Sequence, residues 1–129
     1  MTTAAISAIV LFAHGARDPR WAAPFEAVAA AVRAAEPSRP VVIAFLELML
    51  PDLAEAVDGL AAAGATRIDV VPLFLGTGGH LRKDLPPLVE VARARHPVVS
   101  IRLHPAIGED ASVTQAMAAA SLALATSGE

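Results

Sequence analysis

The chain has 129 residues, no cysteine, a formal net charge of −3 at pH 7 and a 55% hydrophobic fraction to which alanine contributes heavily. That length suffices for one domain with a proper core. The composition excludes disulfides, thiolate-held iron–sulfur clusters and thiolate zinc sites, and the acidic balance argues against a general nucleic-acid binder.

The apolar run Ala4 to Ala13 is too short to span a bilayer and has no basic segment before it. Neither membrane insertion nor a secretory leader is expected, and the cytoplasm is the expected compartment. "ISAIVLFA" (Ile6 to Ala13) reads as a first strand. A helix follows from about Trp21 to Glu36, striped by Phe25, Val28 and Val32 and ended by Pro37. "VVIAFLE" (Val41 to Glu47) is a second strand, and Pro51 opens a second helix with Leu53, Val57 and Leu60 inward and Gly64 as a left-handed cap. "RIDVVPLFL" (Arg67 to Leu75) is a third strand. Asp84 reads as the cap of a third helix with Pro86 and Pro87 in its first turn, "VVSIRLH" (Val98 to His104) as a fourth strand, and Val113, Met117, Ala120 and Leu124 as the stripe of a packed last helix.

Four β–α units predict a single doubly wound α/β domain over residues 1–129: a four-stranded parallel sheet with helices on both faces. Right-handed crossovers that cover both faces give the strand order 2-1-3-4, with the reversal between strands 1 and 3. Ligands of such sheets bind at the carboxyl ends of the strands, at that switch point.

The polar residues that follow the strands fall at that edge. His14 follows strand 1 in "AHGARDPR", Glu47 ends strand 2, His80 follows strand 3 in "GTGGH" and His104 ends strand 4. Each has a structural reading as well. His14 can hold the turn at Gly15, His80 can be a residue of a flexible glycine loop, and Glu47 can pair with Arg17. His104, before Pro105, reads as structural, and His96 as a solvated cation near a helix C-terminus. The joint occurrence of His14, Glu47 and His80 at one switch point favours a functional reading. "GTGGH" can cradle a phosphate, but Gly76 to Leu81 fails the dinucleotide fingerprint at its last position and no P-loop pattern occurs. Glycine also lets a flat ligand lie directly on the backbone.

The segments "LFAHGARDPRWAAPFEAVAAAV", "AFLELMLPDLAEAVDGLAAAGATRIDVVPLFLGTGGHLRKDLPPLV" and "HPAIGED" resemble the small, single-lobe CbiX-type sirohydrochlorin chelatases, from about Ala8 to Ala120. The resemblance implies ATP-independent insertion of a divalent metal, cobalt or iron, into the tetrapyrrole sirohydrochlorin, in cobalamin or sirohaem biosynthesis. It implies no permanently bound cofactor, the metal being a substrate. By motif, His14 and His80 match the metal-binding histidines, with His14 also the proton acceptor. Glu47 and the loop Leu75, Gly76, Thr77, Gly78, Gly79 and His80 match positions that contact substrate, and Glu47 joins the two histidines as a catalytic candidate.

The residues suit that chemistry. Replacing two pyrrole protons by a dication calls for neutral imidazoles that hold a borderline metal and accept protons. Arg17, Arg20, Arg82 and Lys83, four of the ten cationic residues, flank the two histidines and suit a ligand rich in carboxylates. One lobe without an internal repeat leaves the sheet edge open, which predicts a symmetric homodimer with the carboxyl edges facing and Leu48, Met49 and Leu50 in its interface. Two alternatives share these residues: a non-catalytic metal or tetrapyrrole carrier, and one lobe of a hetero-oligomeric chelatase. A phosphate-ligand enzyme on a flavodoxin-like sheet is a third.

Overall fold

The computed structural model describes residues 5–76 and 78–127, with His80 described through its backbone alone. Strands β1 (Ser7–Ala13), β2 (Val41–Phe45), β3 (Arg67–Pro72) and β4 (Ser100–Leu103) form one parallel sheet in the order β2-β1-β3-β4. The order is the expected one. β1 and β3 lie side by side in the register Ile9↔Asp69 and Leu11↔Val71, and β4 continues it at Asp69↔Arg102. Alternation along each strand therefore assigns the two faces.

One face carries Val10, Phe12, Ile68, Val70 and Ile101 into the main core, roofed by α2 (Leu53–Ala62) and α3 (Gly79–Arg95). α2 starts on a capping box in which the Asp52 carboxylate accepts the Glu55 N–H at 2.8 Å, and it buries Leu53, Val57 and Leu60 as the sequence predicts. The other face is roofed by α1 (Ala23–Ala35), entered through a short 3₁₀ turn at Pro19–Ala22. α1 buries Ala29 and half-buries Val32 and Phe25. Val28, expected on the inner stripe, is 42% exposed: the buried Ala29 brings the helix close and turns its larger neighbour outward.

Two further expectations fail. α3 begins at Gly79, with Gly78 as N-cap, so Asp84 caps nothing and Pro86 and Pro87 lie inside the helix. The sequence reading placed the prolines where a missing N–H costs nothing. An interior proline costs about 3 kcal/mol. Burial of Leu85, Val89 and Ala92, with Leu81 packed against the core, offsets this at roughly 1.5–3 kcal/mol per large side chain. The last helix, α4 (Ala111–Thr126), is present as predicted but is not packed: none of its residues is buried.

Candidate functional site at the switch point

β1 runs into His14, and the chain beyond β2 is stitched to it by backbone bonds. Leu46 N–H donates to Ala13 O at 2.8 Å and Glu47 N–H to His14 O at 3.0 Å. Gly15 makes this approach possible. It has φ +93°, and a Cβ there would stand 1.8 Å from the Glu47 carbonyl oxygen. The "HGAR" turn and the end of β2 are thereby fixed as one unit. Glu47 stays exposed, followed by Leu48 in the left-handed region at φ 67°. Among the described residues no ion pair joins Glu47 to Arg17, so the structural reading of that pair falls.

The His14 ring is half-buried and rests on Phe74, with centroids 4.6 Å apart and planes tilted by 50°. Phe74 is buried and contacts Phe12 in turn, so the imidazole sits on a fixed aromatic floor just beyond β3. Sequence reasoning missed Phe74, whose place in "PLFL" is that of an ordinary core residue.

After Phe74 the chain turns outward. Leu75 is 64% exposed, and Gly76, Gly78 and Gly79 are exposed. Thr77 lies outside the described residues. A Cβ added at Gly76, Gly78 or Gly79 would meet nothing within 4 Å among the described residues, and none of the three needs a positive φ. Among the described residues no close contact therefore requires these glycines, although Gly78 also serves as the N-cap of α3. Their base is held from below: Gly108 N–H donates to Phe74 O at 3.0 Å, and a Cβ on Gly108 would fall 1.8 Å from Leu75 O. The "IGED" turn (Ile107–Glu109) is thus a clamp under the loop, which sequence reasoning used only as part of a resemblance.

His80 is the second residue of α3, in the first turn, where backbone N–H groups lack helical partners and the helix dipole is positive. The structure brings its backbone, His14 and Glu47 to one edge. Arg82 follows in the same turn, its N–H donating to Gly78 O, and the exposed Lys83 comes next. Arg17 is exposed on the opposite loop. Arg20 does not join them: Asp18 binds it through both carboxylate oxygens, at 2.7 and 3.1 Å. That hydrogen bonding holds the Asp18 carboxyl below its ordinary range and the Arg20 guanidinium above its own.

The other two histidines are structural. His104 Nε2 lies 2.8 Å from Asp69 Oδ1 on the α1 face of the sheet. Burial alone would push the Asp69 carboxyl up, but hydrogen bonds from His104 and Arg102, with the Arg67 and Arg102 charges, hold it below its usual value. His96 caps α3 and lies 2.6 Å from Asp58 on α2, so it ties two helices and is not merely solvated. Among the described residues no cluster of three or more His, Asp or Glu side chains could hold a metal ion.

The profile of the CbiX family matches residues 8–122. The chain belongs to the CbiX family. Named relatives include the sirohydrochlorin cobaltochelatases of Methanopyrus kandleri, 37% identical over 64% of this chain and 57% of that protein, and of Saccharolobus solfataricus, 36% identical over 64% and 63%. The matched stretch thus spans about three-fifths of the length of these relatives. The CbiX protein of Marinobacter aquaeolei VT8 superposes with a TM-score of 0.80 at 36% identity, over 89% of this chain and 93% of that one. The sirohydrochlorin chelatase SirB of Bacillus subtilis subspecies spizizenii, solved with cobalt, superposes at 0.70 and 35% identity, over 86% of this chain but 47% of SirB. CbiX membership therefore rests on both sequence and fold.

Proposed function

We propose that this chain inserts a divalent metal, cobalt or iron, into sirohydrochlorin without ATP, as a lyase of cobalamin or sirohaem biosynthesis. The observation that carries the proposal is the open glycine surface beside His14. No contact among the described residues requires Gly76, Gly78 or Gly79 to be glycine, and they join Phe74, the floor of the His14 ring, to the α3 turn that carries His80. Such a surface suits a large flat ligand. In the reaction a dication enters the ring and two pyrrole N–H protons leave. His14 takes a proton, its ring fixed on Phe74. His80, the second residue of α3, shares the metal with it before transfer. Glu47, tied through its backbone to His14, accepts or relays the second proton. Arg17, Arg82 and Lys83 meet the carboxylates of the macrocycle, and Leu75 with the loop from Gly76 to His80 contacts its face.

The working unit is a homodimer whose carboxyl edges face each other. Leu48 and Leu50, 61% and 76% exposed after β2, and Leu75, 64% exposed after β3, supply apolar contact area, and closure expels water from the ring as its protons leave. The test is anaerobic turnover: purified protein, sirohydrochlorin and Co²⁺ or Fe²⁺, followed by the change in the macrocycle's absorption. Insertion faster than the uncatalysed reaction, and lost in His14→Ala, supports the proposal. Tight macrocycle binding with no acceleration overturns it in favour of a carrier.

A further inference from the structure

α4 is out of keeping with the rest of the chain. It runs from Ala111 to Thr126 without one charged residue, and none of its side chains is buried. Met117, Leu122 and Leu124 are 49%, 69% and 74% exposed, and the helix meets the body mainly at the Ile107–Glu109 turn. On a helical projection Val113, Met117, Ala120 and Leu124 form one stripe, with Leu122 on the far side and Ser112, Thr114, Gln115, Ser121 and Thr126 off the stripe. A helix with such a stripe draws most of its stability from packing it against another surface.

The sheet has a matching vacancy. Alternation puts Asp69, Val71, Arg102 and His104 on the α1 face, but α1 packs mainly over β1 and β2, with Val71 of β3 at the margin of that cluster. The half of that face over β3 and β4 has no helix. Instead, an open cavity of about 500 Å³ is lined by Val71, His104, Pro105, Ala106, Ile107 and Glu109, with Asp110 at its end. Glu109 and Asp110 belong to the turn that leads into α4, while on this half of the sheet Arg67, Arg102 and His104 all bond to Asp69. An uncharged helix laid over them leaves Asp69 with all its partners.

We infer that α4 is an exchanged arm, lying over β3 and β4 on the α1 face of a second copy of this chain while receiving that copy's α4 in return. Three observations favour a second copy as the occupant. α4 starts from the same carboxyl edge as the exposed Leu48, Leu50 and Leu75. At about 1.5 Å per residue its sixteen residues reach roughly 24 Å, ample to cross into a facing subunit. In SirB the matched lobe fills 47% of the chain, so there a lobe of this kind has as much chain again beside it. The inference rests on the two-copy assembly proposed above, and its consequence is that each subunit's α4 helps to close the other's site.

Because the chain has no cysteine, single-cysteine variants report without background. Leu124→Cys and Ser100→Cys, the latter on β4 at the vacant half, are made on separately tagged chains, refolded together and treated with a short bis-maleimide. Exchange predicts a link between the differently tagged chains. Two results overturn it: a link only between Leu124→Cys chains, meaning that α4 pairs with α4, or a monomer-mass link in the double variant, meaning that α4 folds onto its own sheet. Sedimentation of Leu124→Glu, at a position already exposed in the single chain, is the second measurement. At least a tenfold rise in the dimer dissociation constant with unchanged circular dichroism supports the arm, and an unchanged constant overturns it. Wild-type protein that is monomeric at working concentration defeats the two-copy assembly itself, whereas a wild-type dimer lacking the heterologous link defeats only the exchange.

Discussion

Alanine substitutions along the two glycine turns separate a backbone requirement from a ligand requirement. At Gly79, the first residue of α3, a Cβ would meet open space, and the helix gains from alanine about 0.5–1 kcal/mol. For a domain of this size that corresponds to a rise in Tm of roughly 3 °C. At Gly78, the N-cap of α3, the backbone is extended, with φ −71° and ψ 173°, so alanine fits without strain but caps less well, and Gly78→Ala costs about 0.5–1 kcal/mol. Gly15→Ala is the contrast: its Cβ would stand 1.8 Å from the Glu47 carbonyl at a φ of +93°, and relief demands separating β1 from the end of β2. A loss of about 2–4 kcal/mol is expected, more than 5 °C in Tm. The assays are thermal unfolding by calorimetry and sirohydrochlorin binding by fluorescence quenching. If the open glycines exist for a flat ligand, Gly79→Ala raises Tm and Gly78→Ala lowers it by only a few degrees, yet both weaken binding at least tenfold, about 1.4 kcal/mol. Folded variants that bind as well as the parent would refute the reasoning, and so would a Gly79→Ala protein that unfolds early.

His14→Ala should lower metal insertion by about a hundredfold or more while leaving the circular dichroism spectrum intact, since the ring is half-buried and its contact is the face of Phe74; an insertion rate near the parent's removes it from the chemistry. Neutralising Arg82 and Lys83 together should weaken macrocycle affinity more than cobalt affinity by titration, and equal losses would sink that assignment. The carboxyls of Asp69 and Asp58 are both held below their unfolded values, so the stability they contribute is present above about pH 4 and is lost as pH falls through their lower folded values. Denaturant midpoints should therefore drop below pH 4, and Asp69→Asn, itself destabilising by about 2 kcal/mol through the hydrogen bonds it loses, should flatten that slope. An acid slope unchanged in Asp69→Asn would show that the network is not the source.

The sequence by itself determined the sheet. Each strand is an apolar run of β-formers short enough to be unambiguous, and the order 2-1-3-4 follows from handed crossovers, so β1 to β4 emerge where they are read to within a few residues. It also placed His14, Glu47 and the turn of His80 at one edge, because the end of a parallel strand is a topological position that needs no side-chain detail. The start of α3 was not legible, since two interior prolines argue locally for a helix that begins after them, and only the burial of Leu85 and Val89 against the sheet outweighs that cost. Phe74 beneath His14 and the Gly108 clamp beneath Leu75 were hidden for a related reason: each meets its partner across a distance in space that local sequence does not encode. The fate of α4 was decided entirely by tertiary structure. Its apolar stripe announces a helix, which forms, but periodicity is blind to the surface it packs on, and in the single chain none of its residues is buried.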